Sequence, residues 1–212
     1  MILEKKVILA IESAIDGGSI SLIRDGHVVE SWVGSDSVSK AEDLLPNIDN
    51  LLTSNNIALR EIGTLAVSAG PGSFTGIRIG IATALGLSRS LEIELKTISV
   101  LKAMAFCNAV RGDSVAVVPV GRNAVCIQSF RKQNSEITEL DKPQTIREDV
   151  FFDYLAAETG KTFILHASLF NKAVERSRLV NFGTNLAFAI GSLCLHQPAA
   201  VEDKPLFIAK SF

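Results

Sequence analysis

The sequence predicts an α/β protein in which mixed sheets flanked by helices are arranged as two lobes. Three observations carry that reading. Segments of strand and helix character alternate in the order β-β-β-α-β-α-β-α up to about residue 110. The turn-forming run Arg111-Gly112-Asp113-Ser114 then separates this series from two more strands. Finally, 212 residues are too many for a minimal domain and few for two independent ones, which favours two small lobes sharing a core, residues 1–110 and 111–212.

The first element is Val7-Ile8-Leu9-Ala10-Ile11, a β-branched apolar run of strand length. Strands at 20–23 and 28–33 follow the turns Asp16-Gly17-Gly18 and Arg24-Asp25-Gly26, and an antiparallel meander is the simplest way to join the three. From Ser39 the period changes. Ala41, Leu44, Leu45, Ile48, Leu51 and Leu52 recur at three-and-four spacing, with Glu42 and Asp43 suited to a helix N-terminus; Pro46 inside the pattern should kink or fray that helix. Residues 64–68 read as a buried strand and Gly70-Pro71-Gly72 as its exit turn. Ser73 then reads as the N-cap of a helix reaching about Ser90. A short strand at 96–99 and a helix at 100–109 complete the first lobe. The second begins with strands at 115–120 and 124–130 around Gly121-Arg122-Asn123, then a helix at 147–158, a strand at 162–165 and a helix at 183–195. No close sequence repeat is visible.

Composition narrows the function classes. Hydrophobic residues make up 47% and charged residues 21%, enough apolar material for a core. The formal charge is −2, and no Lys/Arg-rich run is longer than Phe130-Arg131-Lys132, so the footprint of an autonomous nucleic-acid binder is missing. Cys107, Cys126 and Cys194 are widely spaced and odd in number, and no secretory leader is read, which points to a reducing, cytoplasmic setting. The apolar helical run at 77–91 contains Arg78 and Arg89 and is shorter than the roughly 20 residues a membrane span needs.

The least ordinary stretch runs from Gly70 to Leu87. A Gly-Pro-Gly-Ser turn between strand and helix presents backbone N–H groups at the positive end of a helix dipole, a geometry suited to phosphate; equally, it can serve only to reverse the chain. Within the helix, Gly76, Gly80 and Ala84 recur every four residues as a groove beside the ridge Ile77, Ile81 and Leu85. Each interior glycine costs about 1 kcal/mol relative to alanine, and close approach of another element is the compensating gain. The approaching element is either a helix of the same lobe or a helix of another subunit.

Leu44-Leu45-Pro46-x-Ile48-Asp49-x-Leu51-Leu52, then Leu65-Ala66-Val67 leading into Gly70-Pro71-Gly72-Ser73-Phe74-Thr75-Gly76-Ile77-Arg78-Ile79-Gly80-Ile81-Ala82, closely resembles the TsaB (YeaZ) family. The resemblance is strong over about the first half of the chain and beyond residue 110 rests on length and element order. It implies an actin-like ATPase (Hsp70/sugar-kinase, RNase H-like) fold and a non-catalytic role in threonylcarbamoyl transfer to the adenosine beside the tRNA anticodon. It implies, further, association with the catalytic paralogue TsaD, recruitment of the ATPase TsaE, a homodimer when alone, and tRNA contacted only indirectly. The partner-binding residues expected on this basis are Leu44, Leu45, Ile48, Leu52, Phe74, Ile77, Gly80, Ile81, Ala84 and Leu85. A nucleotide or phosphate would meet Ser13, Gly70, Gly72 and Ser73, with no cofactor on this chain alone and ATP or ADP at the interface with TsaD.

Departures from the family pattern bear on the site. Glu12 stands where relatives usually carry Asp, Gly121-Arg122-Asn123 where an Asp-Ala-Arg type sequence is common, and Ser39-Lys40 where His-Ser often opens the helix. The tail at 205–210 lacks the Tyr and Arg that relatives tend to show. The catalytic paralogue's metal is held by two histidines four apart on a helix, whereas His27, His166 and His196 are far apart here, so no metal site is expected. Nor can a nucleophile with a base be assembled from the cysteines, which argues against the peptidase label historically attached to the family. The alternative to a scaffold is a small ATPase or kinase of the same superfold acting on its own.

Overall fold

The computed structural model describes residues 7–34, 40–173 and 178–196; Ser39 and the tail at 205–210 lie outside them. In chain order the elements are β1 (Val7–Glu12), β2 (Ser19–Arg24), β3 (His27–Val33), α1 (Lys40–Ser54), β4 (Ile62–Ser68), α2 (Phe74–Leu91), β5 (Glu94–Ile98) and α3 (Val100–Cys107). The second half continues with β6 (Gly112–Pro119), β7 (Ala124–Gln133), β8 (Glu136–Glu139), β9 (Gln144–Arg147), α4 (Glu148–Ala157), β10 (Thr162–His166), α5 (Ala167–Phe170), β11 (Leu179–Gly183) and α6 (Leu186–His196).

Among the described residues the strands form two mixed sheets, ordered β3-β2-β1-β4-β5 and β11-β10-β6-β7-β8, with β9 also paired to β7. Each sheet joins an antiparallel meander to two parallel strands: β4 runs parallel to β1 and β5 to β4, as β10 runs parallel to β6 and β11 to β10. The same topology is thus used twice, although no sequence repeat announces it. This is the α/β, actin-like arrangement that the resemblance implies.

Alternation along the central strands builds the layers. Val7, Leu9 and Ile11 face α1 and α2, while Ile8 and Ala10 face the opposite side; in β6, Val115 and Val117 face α4 and α5, while Ala116 and Val118 face inward. Both inward faces meet a shared middle layer. There α6 packs on β1, β2 and β4, and α3 packs on α6, β6 and β7. The order is therefore α1 and α2, first sheet, α3 and α6, second sheet, α4 and α5. A helix from the end of the chain covers the sheet made at its beginning.

Predicted and observed elements differ mainly at short pieces. β8 and β9 have four residues each and α5 also has four, too few for a hydrophobic period to register. β11 likewise gives little local signal, its five residues (LVNFG) interrupting any alternation with Asn181. α1 runs continuously through Pro46, and the Asn47 amide donates to the Asp43 carbonyl at 2.7 Å beside it.

Candidate functional site

α2 starts where the sequence places it. Ser73 is its N-cap, with Oγ accepting from the Gly76 N–H at 3.3 Å, and Glu92 ends it in the left-handed region. The small-residue groove of α2 is filled from within the chain. A Cβ on Gly76 would run into the Ser13 carbonyl oxygen and one on Gly80 into Ser13 Oγ, so the element that approaches closely is the turn after β1, not another helix. Hydrogen bonds tie the two together: Ser13 Oγ donates to the Gly76 carbonyl at 2.8 Å, and the Ser73 N–H donates to the Ala14 carbonyl at 2.7 Å. Gly72 is pressed against Ala14 in the same corner.

The residues expected to bind a partner fall into two sets. Leu44, Ile48, Leu52, Ile77, Gly80 and Ala84 are buried, and Ile81 is half-buried between the outer and middle core layers. Leu45, Phe74 and Leu85 remain exposed, at 53%, 49% and 38%. Phe74 carries the Arg78 guanidinium 3.7 Å above its ring, so the outward face of α2 combines large apolar surface with cationic charge.

Ser13, Gly72 and Ser73 do meet at one corner, with Gly70 at its edge, and Ser13 Oγ, the Ser73 N–H and Ser73 Oγ are each engaged internally. The Gly70 N–H donates to Ser68 Oγ at 3.1 Å and its carbonyl accepts from Val100 at 3.0 Å. Glu12 is the informative departure. Its buried carboxylate folds back over the turn, Oε1 accepting from the N–H groups of Ala14 at 2.6 Å and Ile15 at 3.1 Å. Backbone donors that could face an incoming anion thus already face an internal one.

Sequence reasoning missed a contact between the two halves. Asp16, read only as part of a turn, lies with Oδ2 3.4 Å from Nδ1 of the buried His166 at the end of β10. Only the topology, which brings the β1 and β10 ends together, could reveal it. Among the described residues, no group of three His, Cys, Asp or Glu side chains stands ready to hold a metal. Burial pushes the thiols of Cys107 and Cys194 up to about 11 and that of Cys126 up to about 12, which makes all three poor nucleophiles at neutral pH. Among the same residues, no helix is long and apolar enough to cross a membrane.

A family model described as "TsaD: tRNA N6-adenosine threonylcarbamoyltransferase" matches residues 37–174, more than half of the chain. The chain is similar to the tRNA threonylcarbamoyladenosine biosynthesis protein TsaB of Escherichia coli (strain K12), 38% identical over 98 residues, 46% of this chain and 42% of that protein. The match to the protein of that name from Buchnera aphidicola subsp. Acyrthosiphon pisum (strain APS) is 32% identical over 185 residues, 86% of this chain and 83% of that one. The aligned part therefore spans under half of the Escherichia coli relative and most of the Buchnera one. Among solved structures, YeaZ from Pseudomonas aeruginosa superposes with a TM-score of 0.71 at 17% identity, covering 96% of this chain and all of that one, which shows a common fold. Sequence likeness sustained across most of a relative, a family model over more than half of the chain, and this fold together mean that the chain belongs to the TsaB (YeaZ) family.

Proposed function

We propose that this chain is a non-catalytic scaffold subunit in the synthesis of threonylcarbamoyladenosine on tRNA, acting in the cytoplasm by pairing with TsaD. The observation that carries the reading is the outward face of α1 and α2. Both helices pack one side into the core, yet they leave Leu45, Phe74 and Leu85 in water, the kind of apolar surface that a partner covers. A homodimer uses the same face when TsaD is absent, since a two-fold contact needs only one self-complementary patch. TsaE joins the pair, ATP or ADP is held at the interface with TsaD, and tRNA is left to the partner, in keeping with the charge of −2. The inward fold of Glu12 supports a chain that takes no nucleotide on its own.

Reconstitution tests this. TsaD and TsaE from the same organism, given tRNA, ATP and preformed threonylcarbamoyl adenylate as the activated donor, should form threonylcarbamoyladenosine only when this chain is added, and the chain alone should hydrolyse no ATP. Saturable Mg-ATP hydrolysis by the isolated chain would instead make it the stand-alone ATPase or kinase.

A further inference from the structure

Parallel strands that start at the same level carry their leading residues to one edge of a sheet. β10 and β11 pair in that way, Phe163 beside Leu179, and a cation stands before each, Lys161 ahead of β10 and Arg178 ahead of β11. The Phe163 N–H donates to the Arg178 carbonyl at 2.9 Å, which ties the two leading segments together. Where these segments meet the end of α4 lies a cavity of about 330 Å³, at the small end of the range for ligand pockets. Its lining includes Leu155, Glu158, Lys161, Phe163, Arg178 and Leu179.

The cavity joins an apolar floor to a charged rim. Leu155 and Phe163 are buried, and Leu179 packs against the same outer core layer. Lys161 Nζ donates to the Tyr154 hydroxyl at 3.2 Å, and Arg178 Nη1 donates to the Gly160 carbonyl at 2.6 Å. Each cationic head is thus held by one neutral acceptor, and most of its donors are left over. Among the described residues, neither head has a carboxylate within ion-pair distance. Glu158, the one carboxylate of the lining, accepts from the Gly160 N–H at 2.9 Å. Asp113 and Asp141, whose field also reaches Lys161, are held by the Arg131 guanidinium and the Ser129 N–H. The lining therefore carries two positive charges and one negative, a balance that one further negative charge closes.

We infer that this cavity is a binding site for a small organic acid with one carboxylate, held at the rim by Lys161 and Arg178, its short branched or aromatic body lying on Leu155, Phe163 and Leu179. The planar guanidinium fork matches the two oxygens of a carboxylate, and the ammonium adds a point charge beside it. A phosphate dianion suits the lining less well, because Glu158 shares the space. The site is built wholly from the second half of the chain and does not depend on the pairing proposed for α1 and α2.

Tyr154 is the single tyrosine of the chain, so NMR with isotope-labelled tyrosine reports one ring, bonded to Lys161, without further assignment. Isovalerate, benzoate and phenylacetate are titrated into the full chain, each against the alcohol of the same skeleton, with inorganic phosphate as a second anion. At least one acid should shift the Tyr154 ring signals saturably, with its alcohol without effect and phosphate weaker. Arg178 is exposed and Lys161 half-buried, so Arg178→Gln and Lys161→Met should keep the circular dichroism spectrum of the parent. Each should weaken binding by about tenfold or more. Arg60→Gln, which removes an exposed cation of the first half, should leave the affinity unchanged. No saturable shift from any acid, equal responses to acid and alcohol, tighter binding of phosphate, full affinity in Arg178→Gln or Lys161→Met, or an equal loss in Arg60→Gln would each overturn the proposal.

Discussion

Ser13 is gripped by α2 through bare backbone. Its carbonyl and hydroxyl occupy the space where side chains of residues 76 and 80 would begin, and its Oγ donates to the Gly76 carbonyl. Gly76→Ala gains about 1 kcal/mol of helix propensity but forces the turn after β1 away, an overpacking cost of about 1–3 kcal/mol or more. The variant is expected to be less stable than the parent chain by urea unfolding; equal stability would mean that the corner yields freely. The buried thiols make a second residue-scale prediction. Their values rise on folding from 9.0 to about 11 for Cys107 and Cys194 and about 12 for Cys126, so the folded state holds protons that the unfolded state releases. Their contribution is complete below pH 9.0 and lost as pH climbs through about 11 and 12, and stability measured under reducing conditions should fall over that window.

At the scale of elements, α2 shows what periodicity can and cannot say. Its span, its cap at Ser73 and the four-residue recurrence of small side chains are all legible in the sequence, because each follows from local chemistry. Which element fills the groove is not legible, since the answer lies in a turn 63 residues earlier in the chain. The ridge Ile77, Ile81 and Leu85 likewise reads as one stripe but divides in space: Ile77 is in the core, Ile81 bridges two core layers, and Leu85 is exposed. Charge placed at Ile81 and at Leu85 should therefore act differently. Ile81→Glu should destabilise the chain by roughly 3 kcal/mol or more through a poorly solvated carboxylate, and Leu85→Glu should stay within about 0.5 kcal/mol of the parent. Thermal unfolding followed by circular dichroism separates the two, and equal losses would place Leu85 in the core as well.

For the whole molecule, the repeated sheet topology and the shared middle layer explain how two sheets of this size are both covered on their inward faces. α3 and α6 are covered on both sides, so each sheet gains a buried face from helices that the other sheet also uses. The fold class could be read from the alternation of strands and helices. The duplication could not, because pairing order is set by contacts distant in sequence and β8, β9 and β11 leave weak local signals. The Asp16–His166 contact escaped for the same reason, since 150 positions of chain separate two residues that meet only when both sheets are assembled. With the middle layer consumed by folding, α1 and α2 are left as outer helices with apolar side chains facing water.

The pairing assigned to that outer face is measured by light-scattering chromatography of this chain mixed with TsaD from the same organism, the parent chain being compared with Leu85→Glu. A heterodimer formed by the parent and lost in a Leu85→Glu chain that still folds is the predicted result. No heterodimer with the parent chain, or one indifferent to the charge at position 85, would contradict it.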